Sequence, residues 1–75
     1  MEELTEHEYE IYQTLCMIGA ATAAHIQMQV TNMTLLNKGT VAFQLLVDSV
    51  WKKGYIRRFG SFYEALTVEE LNANR

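Results

Sequence analysis

Five of the chain's six basic residues, Lys38, Lys52, Lys53, Arg57 and Arg58, lie between Asn37 and Phe62, where the only acid is Asp48. That segment carries 5 − 1 = +4. The remainder sets eight glutamates against Arg75, 1 − 8 = −7, and the two sum to the net charge of −3. The chemistry such a segment offers is non-covalent: lysine and arginine donors that neutralise phosphate oxygens. Uneven scatter of charge on a small protein is the plainer account. The coincidence of the basic segment with a helix-hairpin unit, described below, favours the functional one.

Little else in the chain points to chemistry. Cys16 is the single cysteine, so no disulfide can form within one chain. One thiol and two histidines make no zinc-type constellation, and no metal or cofactor is expected. Cys16 falls inside the first helix, where a packed, inert thiol is the common case, and no base stands placed to activate it. His25 is expected on an exposed helix surface. Without a glycine-rich phosphate loop or a metal cluster, an enzyme is not expected, and so short a chain leaves little room for a small-molecule pocket. The apolar stretch from Cys16 to Ala24 is too short to span a bilayer, and the acidic opening MEELTEHE is unlike the basic start of a signal peptide. No membrane partner follows, and a cytoplasmic setting is the expectation.

The elements that must position the basic segment are legible in order. Seventy-five residues make one domain, over positions 1–75, with little core to spare. Thr5 and Glu8 have the spacing of a capping box, flanked by Leu4 and Tyr9 as a hydrophobic staple. Ile11, Leu15 and Ile18 recur at helical spacing up to Gly19, which predicts a helix from about Glu6 to Ile18. Tyr9, Tyr12 and Cys16 form a second apolar stripe on it. That stripe packs against the C-terminal segment or, with Leu71, forms a seam with a second copy of the chain. Thr22 caps a second helix over about Ala23 to Val30, with Ala23, Ile26 and Val30 inward and Gln27 and Gln29 toward water. Thr31 to Asn37 reads either as a lengthened turn or as an extra helical turn.

A third long helix ends at Lys52-Lys53-Gly54. Phe43, Leu46, Val47 and Val50 share its core face, with Trp51 at the edge. The opposite face carries Lys38, Val41, Leu45, Asp48 and Lys52, flanked by Gln44. Gly39 makes a start before Thr40 insecure. The stretch YIRRF-GS-FYEAL then predicts a hairpin on a two-residue type II′ turn at Gly60-Ser61. That turn sets Phe59 opposite Phe62, Arg58 opposite Tyr63, Arg57 opposite Glu64 and Ile56 opposite Ala65. Arg57 can therefore be neutralised by Glu64, and Arg58 can lie over Tyr63. Thr67 and Glu70 form a second capping box for a short helix from Val68, fraying into Asn72–Arg75. The expected class is α+β, mostly α.

EYEIYQTL in helix 1, Ala24 and Ile26 in helix 2, and LVDSVWKKGYIRR running into FYEAL give the chain its family likeness. It resembles the winged helix-turn-helix regulators, and is most similar to the penicillinase-repressor and MarR-type DNA-binding domains. The likeness covers nearly the whole chain, through motifs that report fold more than function. It implies three helices, a two-stranded β-hairpin wing and a short C-terminal helix. It also implies a third helix lying in the major groove of double-stranded DNA, with Lys38, Thr40, Val41, Gln44 and Leu45 on the groove side. Gln44 then reads adenine, Thr40 meets a phosphate and Val41 contacts a thymine methyl, while Lys52, Lys53, Arg57 and Arg58 hold the backbone.

The resemblance thus implies a small DNA-binding transcriptional regulator, acting as a homodimer on two half-sites. The presumed recognition face departs from the pattern in having no arginine, one acid in Asp48, and two apolar residues, Val41 and Leu45. Those departures define the alternative, a protein-interaction module in which Val41 and Leu45 anchor a protein partner.

Overall fold

The first helix begins at Thr5 in the computed structural model, which describes residues 2–73. Thr5 Oγ1 accepts from the Glu8 backbone N–H at 3.2 Å, and Glu8 Oε1 accepts from the Thr5 N–H at 2.9 Å. This reciprocal cap starts α1 (Glu6–Ile18). Gly19, at φ 84°, ends it and turns the chain into an extended segment, β1 (Ala20–Thr22). That strand is absent from the sequence reading. Three small residues carry no alternating pattern; β1 exists because it pairs antiparallel with a strand forty residues later.

Thr22 caps α2 (Ala23–Gln29) through the His25 N–H. Of the two readings of Thr31 to Asn37, the extra turn is the one found, as α3 (Met33–Leu36). Asn32 Oδ1 accepts from the Thr34 and Leu35 N–H groups at 2.8 and 3.3 Å, which supplies the cap a four-residue helix needs. Gln27 does not point to water. Its Nε2 reaches Leu35 O, Leu36 O and Lys38 O at 3.1, 3.4 and 2.8 Å, so it ties α2 to the carbonyls at and just beyond the end of α3. Glu10 Oε2 accepts from the Asn32 N–H at 3.0 Å and ties this turn to α1.

α4 (Thr40–Lys52) begins after Gly39, which provides no side-chain cap, and its chain leaves through Gly54 at φ 91°. The hairpin β2 (Ile56–Phe59) and β3 (Phe62–Ala65) has the register that the two-residue turn dictates, from Phe59↔Phe62 to Ile56↔Ala65. Gly60 lies at φ 63°, and among the described residues no other residue type takes a positive φ, as a type II′ turn requires. The sheet is three-stranded and antiparallel, in the order β1-β3-β2. Thr67 and Glu70 form the second reciprocal cap, at 3.1 Å each way, for α5 (Val68–Ala73). The expected fraying toward Arg75 extends outside the described residues.

The architecture is therefore α+β and mostly helical, with α1, α2 and α4 packed on a small antiparallel sheet. Ile11 and Leu15 of α1, Ile26 of α2, Leu35 of α3, Phe43, Val47 and Val50 of α4, and Ala21, Ile56 and Tyr63 of the sheet make one core. Leu46, expected in that set, is only partly buried against it. Each fully buried aliphatic or aromatic side chain contributes about 1.5–3 kcal/mol at most, so few can be lost from a core of this size. No helix among the described residues is long and apolar enough to cross a membrane.

Candidate nucleic-acid interface

α4 presents its N-terminal half outward. Thr40 is exposed, and Val41 and Leu45 are 73% and 64% exposed. The helix is held in this attitude by Phe43, Val47 and Val50 beneath it. Between α2, α4 and the hairpin opens a cleft of about 320 Å³. Thr40 and Gln44 from α4 and Arg58 from β2 all line it, together with Asp48, Ser61 and Tyr63. Three of the sequence-predicted site residues thus share one surface.

The polar groups of the cleft are linked to one another. Tyr63 Oη donates to Asp48 Oδ1 at 2.6 Å. Gln44 Nε2 donates to the same oxygen at 3.2 Å and to Tyr63 Oη. Arg58 Nη1 stands 3.6 Å from Asp48 Oδ1, and Arg58 Nε donates to Gly60 O at 3.2 Å. The guanidinium lies 5.3 Å from the Trp51 ring centroid and 5.7 Å from that of Tyr63. Burial, with Asp48 accepting its proton, pushes the Tyr63 phenol up. Tyr63 and Asp48 were not singled out as site residues in the sequence. The signals were there in the i, i+4 spacing of Gln44 and Asp48 and in the hairpin register that sets Arg58 opposite Tyr63.

The other basic residues lie elsewhere. Lys53 Nζ pairs with Glu8 Oε1 at 2.6 Å and donates to Glu3 O at 3.2 Å, so it is turned to α1. Arg57 pairs with Glu64 at 3.5 Å, as the register predicts, and also with Glu70 of α5. Among the described residues Lys38 and Lys52 take part in no ion pair. Three of the five basic residues of the segment are thus matched by acids of the same chain, which lowers the positive field read from the sequence.

Tyr12 is committed within the chain. Its hydroxyl donates to Leu66 O at 2.9 Å, and its ring meets Tyr55 edge-on at 6.0 Å. Burial and the neighbouring Cys16 thiol push the Tyr12 phenol up to about 12. Leu71 stands with Leu4, Tyr9, Tyr12 and Tyr55 around a shallow groove of about 280 Å³, so the C-terminal segment covers part of the second stripe of α1. Tyr9 stays exposed. Cys16 is exposed, not packed, because the stripe turns away from the core at that turn of α1.

No family model matches the chain, and comparison with curated proteins and with solved structures finds no significant similarity.

Proposed function

We propose that the protein is a small DNA-binding regulator of the winged helix-turn-helix type, with α4 as recognition helix and the β2–β3 hairpin as wing. The observation that carries this reading is the convergence of Thr40, Gln44 and Arg58 on one open cleft beside the exposed Val41. An amide, a hydroxyl, a guanidinium and an apolar side chain are the groups that read base edges, meet phosphates and contact a thymine methyl. Lys38 and Lys52, outside the internal ion pairs, extend the cationic contact along α4. A homodimer reading two half-sites accompanies this proposal. Titration of pooled random-sequence duplex DNA against the protein at rising salt tests it: binding that weakens steeply with salt is expected, and no binding at low salt excludes it.

A second reading has its own observation. Val41 and Leu45 lie well exposed on the same helix, while Lys53, Arg57 and Arg58 are matched internally. Large apolar side chains presented on a rigid helix suit a protein partner. Loss of a captured partner on Leu45→Asp, with DNA binding absent throughout, selects this reading.

A further inference from the structure

We infer that Asp48 is an internal competitor for nucleic acid: it holds Gln44 and Arg58 on the protein and so sets how tightly the cleft binds DNA. This rests on the DNA-binding reading and deepens it. The groups best suited to contact DNA in the cleft, the Gln44 amide and the Arg58 guanidinium, both converge on one carboxylate oxygen, Asp48 Oδ1. Tyr63 fixes that oxygen in place by donating to it from a buried position. Asp48 is half-buried and lines the same cleft, so its charge opposes a phosphate that enters there.

The competition follows from donor counting. A bidentate contact from Gln44 to a base edge needs both ends of its amide, and its Nε2 is already shared between Asp48 and Tyr63. Arg58 has Nε on Gly60 O and Nη1 facing Asp48, with its charge partly neutralised. A phosphate at Arg58 therefore meets a guanidinium whose charge is already partly offset by a carboxylate that two further donors hold in place. Removing the charge of Asp48 while keeping its shape leaves Tyr63 and Gln44 with a neutral acceptor and leaves Arg58 without a counter-ion. DNA then gains a full unit of charge contact at Arg58.

The test is a double-mutant cycle with pooled random-sequence duplex DNA as probe, followed by fluorescence anisotropy across a salt series. Asp48→Asn is expected to tighten binding by about 1.5- to fivefold, the range for an ion pair in partial contact with water. The slope of log K against log salt is expected to steepen by about 0.9, one more phosphate neutralised. In the Arg58→Ala background the same change is expected to lose most of its effect. Equal gains in both backgrounds assign the effect to bulk charge and overturn the proposal. Weaker or unchanged binding by Asp48→Asn also overturns it and makes Asp48 a positioning residue or a bystander. Binding by neither protein at the lowest salt removes the DNA-binding reading and this inference with it, a pattern distinct from failure of the inference alone. Should Asp48→Asn not fold, Tyr63→Phe takes its place; it removes the hydroxyl from Gln44 and Asp48 and leaves the ring. Tighter binding by that variant supports the proposal, and unchanged or weaker binding overturns it.

Discussion

The Lys53 ammonium sits 2.6 Å from Glu8 Oε1 and joins the end of α4 to the first turn of α1. Glu8 is 2% exposed, and its carboxylate accepts from two further donors, the Thr5 N–H and the Ser49 hydroxyl, while its own backbone N–H donates to Thr5 Oγ1. One carboxylate thus completes a helix cap and an interhelical lock. A basic residue that in sequence belongs to the cationic segment is drawn away from it.

The lock makes stability depend on acid. Burial pushes the Glu8 carboxyl up, but Lys53, Ser49 and Thr5 outweigh it and hold its pKa at about 2, from the ordinary 4.5. The folded value is depressed, so the stabilisation is complete above about pH 4.5 and is lost as pH falls toward 2. Its size is on the order of 3 kcal/mol. Urea unfolding of wild type and Glu8→Gln at pH 7 and pH 3 checks this. The wild type should lose more stability than the variant between those two values, and parallel losses would place the acid sensitivity elsewhere.

Gln27→Ala is expected to cost about 1–2 kcal/mol, because it removes the amide donor to Lys38 O and the tie between α2 and the end of α3. The change should appear as a lower midpoint in thermal unfolding, with faster amide exchange over Met33–Leu36 than over α1. A midpoint equal to that of the wild type would mean that water replaces the amide.

Tyr12→Phe is expected to cost about 1 kcal/mol through loss of the hydrogen bond to Leu66 O, and to remove the phenol that titrates near 12 from an absorbance titration. Because burial raises this pKa in the folded state, the stabilisation is present below pH 10 and is lost as pH rises toward 12. Sedimentation separates the self-association idea from this intrachain role. If Tyr9 and Leu71 complete a dimer seam, Tyr9→Glu converts a dimer to a monomer without lowering the monomer's helix content; a wild type that already sediments as a monomer removes the seam.

Val41→Asp and Leu45→Asp test the outward side of α4 from the stability side. Both side chains are exposed, so unfolding free energies should stay within about 0.5 kcal/mol of wild type. A larger loss would mean that these residues pack within the chain, and would remove the basis for the protein-partner reading.

Much of this fold was legible because its boundaries are set by local chemistry. The Thr5/Glu8 and Thr67/Glu70 caps, the Gly54 stop and the Gly60-Ser61 turn each act within four residues, and each stands where the sequence puts it. The features missed are long-range. β1 is a strand only because β3 lies beside it, and Gln27 turns inward only because the carbonyls at and just beyond the end of α3 lie nearby. The same division holds at the site. Helical period put Gln44 beside the outward face of α4, the family likeness added Thr40, and hairpin register found the pairing of Arg57 with Glu64 and the place of Arg58 over Tyr63. Neither could show that Lys53 belongs to Glu8, forty-five positions away, or that Asp48 gathers Gln44, Tyr63 and Arg58.

The proposed function requires that the cleft between α4 and the hairpin take double-stranded DNA. The most direct measurement is the salt dependence of binding to pooled random-sequence duplex DNA, with wild type and Gln44→Ala/Arg58→Ala compared. A log K that falls linearly with log salt is expected for the wild type, and weaker, less salt-dependent binding for the variant. Equal binding by the two proteins, or no retention of the wild type at low salt, would contradict the proposed function.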